Sequence, residues 1–169
     1  MPCTACALNP EAHCFVKFGK IGDVFLYYTA PARARDYKES ESQLANMKAH
    51  LETTKPHQWI MIVDCKGMQL KHMNSVTFST NLATILVNEY KHTLRAIWVL
   101  HANSWVNSIL NLFNSIFSRD TMSKIHLING DKLELYVRLE RNGLSGRPLQ
   151  WLTTVLTTPA EPGHLPALN

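Results

Sequence analysis

The chain has 169 residues, 46% hydrophobic and 18% charged, a balance that excludes a disordered protein and suits one globular domain with a sizeable core. Its net charge of +4 comes from scattered rather than clustered basic residues, so nucleic-acid binding has no electrostatic footprint here. Four Cys, three of them in the first fourteen positions, and the lack of an opening apolar signal segment point to a reducing, cytoplasmic setting.

Residues 1–14 read as a leader containing Cys3, Cys6, His13 and Cys14. Phe15 to Lys20 and Val24 to Tyr28 look like two strands, with Gly19 and Gly22 marking the turn and Pro31 ending the second. From Asp36 to Thr53, Tyr37, Leu44, Met47 and Leu51 recur at helical spacing, and Lys55-Pro56 stops that helix. Trp59 to Val63 is a continuous apolar run, as in a strand buried on both faces. Asn74 or Ser75 can cap a helix to about Tyr90, with Val76, Leu82, Leu86 and Tyr90 on one face. Ala96 to Leu100 is a second apolar strand, Ser104 to Phe117 a helix, Ser118 to Ser123 a short polar segment, and Ile125 to Ile128 a further strand. Alternating strands and helices predict a single α/β domain with a largely parallel sheet flanked by helices, over residues 15–158. Residues 159–169, rich in Pro, are expected to be a flexible tail.

Most chemical motifs are missing. No G-x-x-x-x-G-K-[ST] or G-x-G-x-x-G loop supports nucleotide binding, and no G-x-S-x-G elbow or H-E-x-x-H pair supports hydrolysis. No catalytic residue is assigned, no cofactor is implied, and the enzymatic reading is weak. Cys3-x-x-Cys6 followed by His13 and Cys14 contains four possible zinc ligands. A structural zinc site usually draws on two well-separated pairs, and here the second pair is adjacent, so an ordinary terminus is expected and no metal site is assigned. Asp64, Lys66 and Gly67 follow a buried strand, where α/β proteins often place ligands. Their simpler role is local: Gly67 makes the turn and Asp64 caps backbone amides.

The segment from Ala96 to Ser118 carries no Asp, Glu, Lys or Arg. Asn103, Ser104, Asn107, Ser108, Asn111, Asn114 and Ser115 interrupt it, so it is no membrane span, which needs about 20 mostly apolar residues. Within its helix, Trp105, Ile109, Leu112, Phe113 and Ile116 are placed on one face, widened by Val106, Leu110 and Phe117. The opposite stripe is Asn107, Asn111, Asn114 and Ser118, neutral where Lys or Glu is usual. Such a helix fits an interfacial environment, and equally a helix buried under another layer.

These residues together resemble the CRAL-TRIO domain, the fold of phosphatidylinositol/phosphatidylcholine transfer proteins. The resemblance runs roughly from Trp59 to Gly130. Its elements are a strand into Val63-Asp64-Cys65-Lys66-Gly67-Met68 for the family's D-x-x-G, then a helix ending at Tyr90. After Leu94 come the strand Ile97-Trp98-Val99-Leu100, then His101-Ala102, the helix through Phe117, and Lys124-Ile125 for its K-I. The chain departs at Lys91-His92, where the family favours Pro-Glu, and at His101 and Asn103, where it favours Asn and Pro. The helical amino-terminal extension and the closing L-P-x-x-x-G-G have no clear counterpart, though Asn142-Gly143-Leu144-Ser145-Gly146 falls in the latter region.

The resemblance implies non-enzymatic binding, transfer or sensing of a small hydrophobic ligand, a phospholipid above all. The ligand would lie in an apolar pocket between sheet and helices, with transient membrane contact and a cytoplasmic, peripheral location. By position, Trp105, Val106, Ile109, Leu110, Phe113 and Phe117 would supply the ligand-facing surface, with His101 at the end of the preceding strand. The alternative it carries is a protein-interaction scaffold of the divergent CRAL-TRIO type, for example one that binds a small GTPase.

Overall fold

Phe15–Ile21 (β1) and Val24–Thr29 (β2) pair antiparallel around Gly22, whose φ of 55° is a conformation glycine adopts without strain. The computed structural model describes residues 6, 8, 12–35, 40–69, 76–163, 165 and 166. Gly19, expected in the turn, lies inside β1, where the register with β2 shifts. A Cβ there would come within 2.5 Å of Pro148 Cγ, so this glycine serves a close approach from the last helix and not the turn.

Trp59–Asp64 (β3), Leu94–Leu100 (β4) and Ile125–Ile128 (β5) are each added parallel beside the strand before, giving the order β1-β2-β3-β4-β5. The α/β domain with a largely parallel sheet is therefore the architecture observed. A parallel sheet that grows in one direction through right-handed crossovers carries its crossover helices on one face. Those helices are Ser40–Glu52 (α1), Val76–Glu89 (α2) and Ser104–Ile116 (α3), the last followed by the one-turn Arg119–Met122 (α4). Lys132–Arg141 (α5) and Gly146–Thr157 (α6) come after β5 and cover the other face.

Strand alternation sorts the side chains into two cores. Leu26, Tyr28, Ile62, Trp98 and Leu100 meet Leu135 and Leu139 of α5 and Leu149, Leu152 and Val155 of α6. Tyr27, Trp59 and Met61 face the other way, against Leu51 of α1 and Leu86 of α2, and Leu94 joins them because the register shifts at the start of β4. Each such buried large side chain is worth about 1.5–3 kcal/mol, so neither face can be left bare. The last helix is also tied by charge. Arg33, 1% exposed, donates from one guanidinium nitrogen to Val155 O at 2.8 Å and Thr158 O at 3.2 Å. Lys66 Nζ donates to Leu156 O at 2.8 Å and Thr158 O at 3.2 Å. Two cations thus satisfy the carbonyls that end α6.

Several expectations from sequence are corrected. Helices α5 and α6 were not anticipated. Residues expected to form a free tail are anchored: Gly163 N donates to Arg33 O at 2.8 Å, Trp151 Nε1 donates to Pro166 O at 3.1 Å, and Leu165 packs on the core. Val76 is exposed, because a helix turns it well away from the face shared by Leu82, Leu86 and Tyr90, which recur every four residues. Tyr37, Asn74 and Ser75 lie outside the described residues. No helix among the described residues is long and apolar enough to cross a membrane.

Candidate functional site

The site begins at the carboxyl end of β3. Asp64 is fully buried and collects three donors: Tyr28 Oη at 2.7 Å, Lys66 N at 3.0 Å and His101 Nδ1 at 2.8 Å. It shapes the turn to Gly67, whose φ is 70°. That is the local, non-ligand role, and it reaches across to β4 through His101. His101 has φ 52°, the one positive value outside glycine among the described residues. Its left-handed backbone swings the chain from β4 into α3, and the Asp64 contact holds it there. Ala102 N then donates to Asn129 Oδ1 at 2.8 Å, and Asn103 Oδ1 caps α3 by accepting from Val106 N at 3.0 Å.

So anchored, α3 lies over the sheet beside α2, and between them is a cavity of about 210 Å³. Its floor is Met61 and Val63 of β3, Ile97 and Val99 of β4 and Ile125 of β5. Its roof is Leu82, Ala83, Leu86 and Val87 of α2, with Val106, Ile109, Leu110 and Phe113 of α3 and Phe117 just after it. Toward β2 the lining reaches His13, Cys14, Gln43 and Met47, and toward β5 it becomes polar at Lys91, Asp120, Thr121 and Lys124. Lys124 Nζ is held by Lys91 O at 2.7 Å and Leu94 O at 3.0 Å. The lining thiols are inert at neutral pH: burial pushes both Cys14 and Cys65 up to about 12. What such a cavity can do is hold apolar matter.

Of the seven residues named from sequence, Val106, Ile109, Leu110, Phe113 and Phe117 line this cavity. Trp105 packs against the Ile109–Phe113 cluster without reaching the lining, and its buried Nε1 has no hydrogen-bond partner among the described residues. His101 lies elsewhere, beside Lys66, Lys132 and Tyr136 in a second depression of about 400 Å³. The helix is rotated relative to the face read from sequence. Its buried arc centres on Val106, Ile109 and Phe113, and Leu112 and Ile116 are 38% and 50% exposed. At about 100° per residue they fall on the edge of that arc. The sheet as floor and helices as walls follow from the resemblance, but the residues of the floor and of the α2 wall were not named, since no local pattern says which side chains a cavity will join.

A family model, the CRAL/TRIO domain, matches residues 40–144, more than half the chain. The chain belongs to the CRAL/TRIO family. CRAL/TRIO proteins are in general lipid-binding or lipid-transfer proteins rather than enzymes. The crystal structure of Sfh5 is similar in fold, with a TM-score of 0.58 at 14% identity over 79% of this chain and 52% of that one. The chain therefore spans about half the length of that protein. No curated protein matches. Within the CRAL/TRIO frame the departures at His101 and Asn103 have physical equivalents. His, like Asn, is among the few residues enriched at positive φ, and Asn103 starts α3 as a side-chain cap.

Proposed function

We propose that this protein binds a small hydrophobic ligand, a phospholipid by preference, with an acyl chain in the cavity between the sheet and α2–α3. The observation that carries the reading is the lining: aliphatic, aromatic and Met side chains from three strands and two helices, with polar groups confined to the ends. Enclosure spares an acyl chain about 0.8 kcal/mol per methylene relative to water, so the cavity replaces the shelter a bilayer gives and can hold the chain in solution. Lys91, exposed at the β5 end, supplies a cation for an anionic headgroup. No bond is made or broken in this activity, in keeping with two protonated thiols.

The test is lipid extraction and native mass spectrometry of the purified protein, followed by vesicle-to-vesicle transfer. A bound or exchangeable lipid is expected, and Phe113→Asp should abolish transfer while Asn111→Asp, on the outer stripe, leaves it intact. Failure to retain or take up any lipid would sink the reading.

One observation favours a second reading, that of a protein-interaction scaffold such as a small-GTPase-binding module. The cavity, at about 210 Å³, is smaller than the roughly 300–1,000 Å³ usual for ligand sites. The outer surface of α3 meanwhile shows Leu112 and Ile116 among uncharged Asn and Ser. A partner lost on substituting Leu112 and Ile116, with no lipid uptake by the parent protein, would favour the scaffold.

A further inference from the structure

The adjacency of His13 and Cys14 argued against a zinc site in sequence, but in the fold His13 and Cys6 meet a third, distant ligand in place of Cys14. Cys6 Sγ lies 3.5 Å from His13 Nδ1 and 3.3 Å from His50 Nε2, and those two nitrogens are 3.4 Å apart. His50 comes from α1, 44 residues after Cys6. Cys14, the other candidate near His13, turns instead into the core with Phe18 and Leu26 and is not part of the group.

The three distances define a nearly equilateral triangle of ligand atoms. Around tetrahedral zinc, with Zn–N about 2.0–2.1 Å and Zn–S about 2.3 Å, the N···N edge is about 3.3–3.4 Å and the S···N edge about 3.6 Å. The observed edges agree within a few tenths of an ångström. Hydrogen bonding accounts for the triangle poorly. An imidazole nitrogen is a donor or an acceptor, never both, and the thiol has one proton, so at most two of the three contacts can be hydrogen bonds at once. In every tautomer at least one contact is left without a proton of its own, and with like tautomers the two nitrogens meet lone pair to lone pair or proton to proton, in a site where His50 is 2% exposed. A cation at the centre satisfies all three atoms together, once the thiol has given up its proton.

We propose that Cys6, His13 and His50 form a structural zinc site that fastens the amino-terminal segment to α1. The soft thiolate with two imidazoles selects zinc over magnesium or calcium, which take oxygen ligands. The fourth position falls to a further ligand. The site has a structural consequence, because His13 also lines the apolar cavity at its β2 end. Zinc would fix that wall. The inference does not rest on the lipid reading, and either can fail alone.

The test uses the full chain and metal alone. Protein purified without added metal is assayed for zinc, then stripped with chelator and titrated with Zn²⁺ and Co²⁺. About one equivalent of zinc is expected, together with a cobalt spectrum showing tetrahedral d–d bands and a thiolate charge-transfer band. Removal of zinc should lower the melting temperature. Cys6→Ser and His50→Gln should each weaken zinc binding more than tenfold, and Cys6→Ser should erase the charge-transfer band. Cys14→Ser, as a control, should leave the zinc affinity and the charge-transfer band unchanged. The cobalt spectrum of the unaltered chain decides the matter even where a variant fails to fold. Absence of bound zinc together with no cobalt charge-transfer band would overturn the proposal, as would unchanged affinity in the Cys6 and His50 variants.

Discussion

At the scale of single residues, the sequence was most informative where a side chain answers to its own backbone. Asp64 and Gly67 read as a turn and its cap, and the Lys66 amide on the Asp64 carboxylate with φ 70° at Gly67 fits that reading, although two further donors to Asp64 come from distant segments. It was least informative where the reason for a residue lies in a distant segment. Gly19 is glycine because of Pro148, and His50 looks like any residue on a helix until Cys6 and His13 are placed against it. Trp105 belongs between these cases. Its buried Nε1 without a partner costs about 1–3 kcal/mol, and the ring does not reach the cavity lining. Trp105→Phe should therefore keep or slightly raise the melting temperature while leaving lipid binding within about 2-fold of the parent. Calorimetry and a lipid-binding titration would measure the two effects, and a large loss of binding would refute this placement of Trp105.

At the scale of elements, hydrophobic period located nearly every strand, because a buried parallel strand is a short apolar run with little else it can be. Helices on the second face escaped for opposite reasons. The start of α5 carries a readable capping box: Asp131 accepts from Leu133 N and Glu134 N, and Glu134 answers to Asp131 N. The start of α6 is disguised by Gly146 and Pro148, which read as loop, although Leu149, Leu152, Val155 and Leu156 hold helical spacing. Helix α3 was found, yet its roll about its axis was not. The apolar arc in its sequence is wider than the surface that the sheet and α2 can cover, so Leu112 and Ile116 remain outside. The pair Leu112→Asp with Ile116→Asp is a clean probe of that outer edge. Folding stability should fall by about 1–2 kcal/mol, since both side chains are half-buried and the new carboxylates stand in the last turns of α3, while vesicle binding should fall if this edge meets a membrane. A thermal melt and a vesicle co-sedimentation assay would read the two quantities.

At the scale of the whole molecule, strands follow one another across the sheet in chain order, and all three crossover helices fall on one face. That face holds both the cavity and the Cys6–His13–His50 triangle. The other face is closed by α5 and α6, whose burial of Leu135, Leu139, Leu149, Leu152 and Val155 completes the larger core. Removing residues 146–169 would strip α6 and expose the side chains it covers, so the shortened chain should be insoluble or bind a hydrophobic dye strongly. A soluble, cooperatively melting product would refute this account of the second face.

The docking of α6 on Arg33 and Lys66 also bears on how the chain is made. Each parallel strand can join its neighbour as it leaves the ribosome, since none has to wait for a later one. The acceptors for Arg33 and Lys66 are at residues 155–158, made only after every strand of the sheet. Between the emergence of β5 and that of α6 the growing chain therefore holds one covered face and one uncovered face. That interval is when a chaperone has the most to protect.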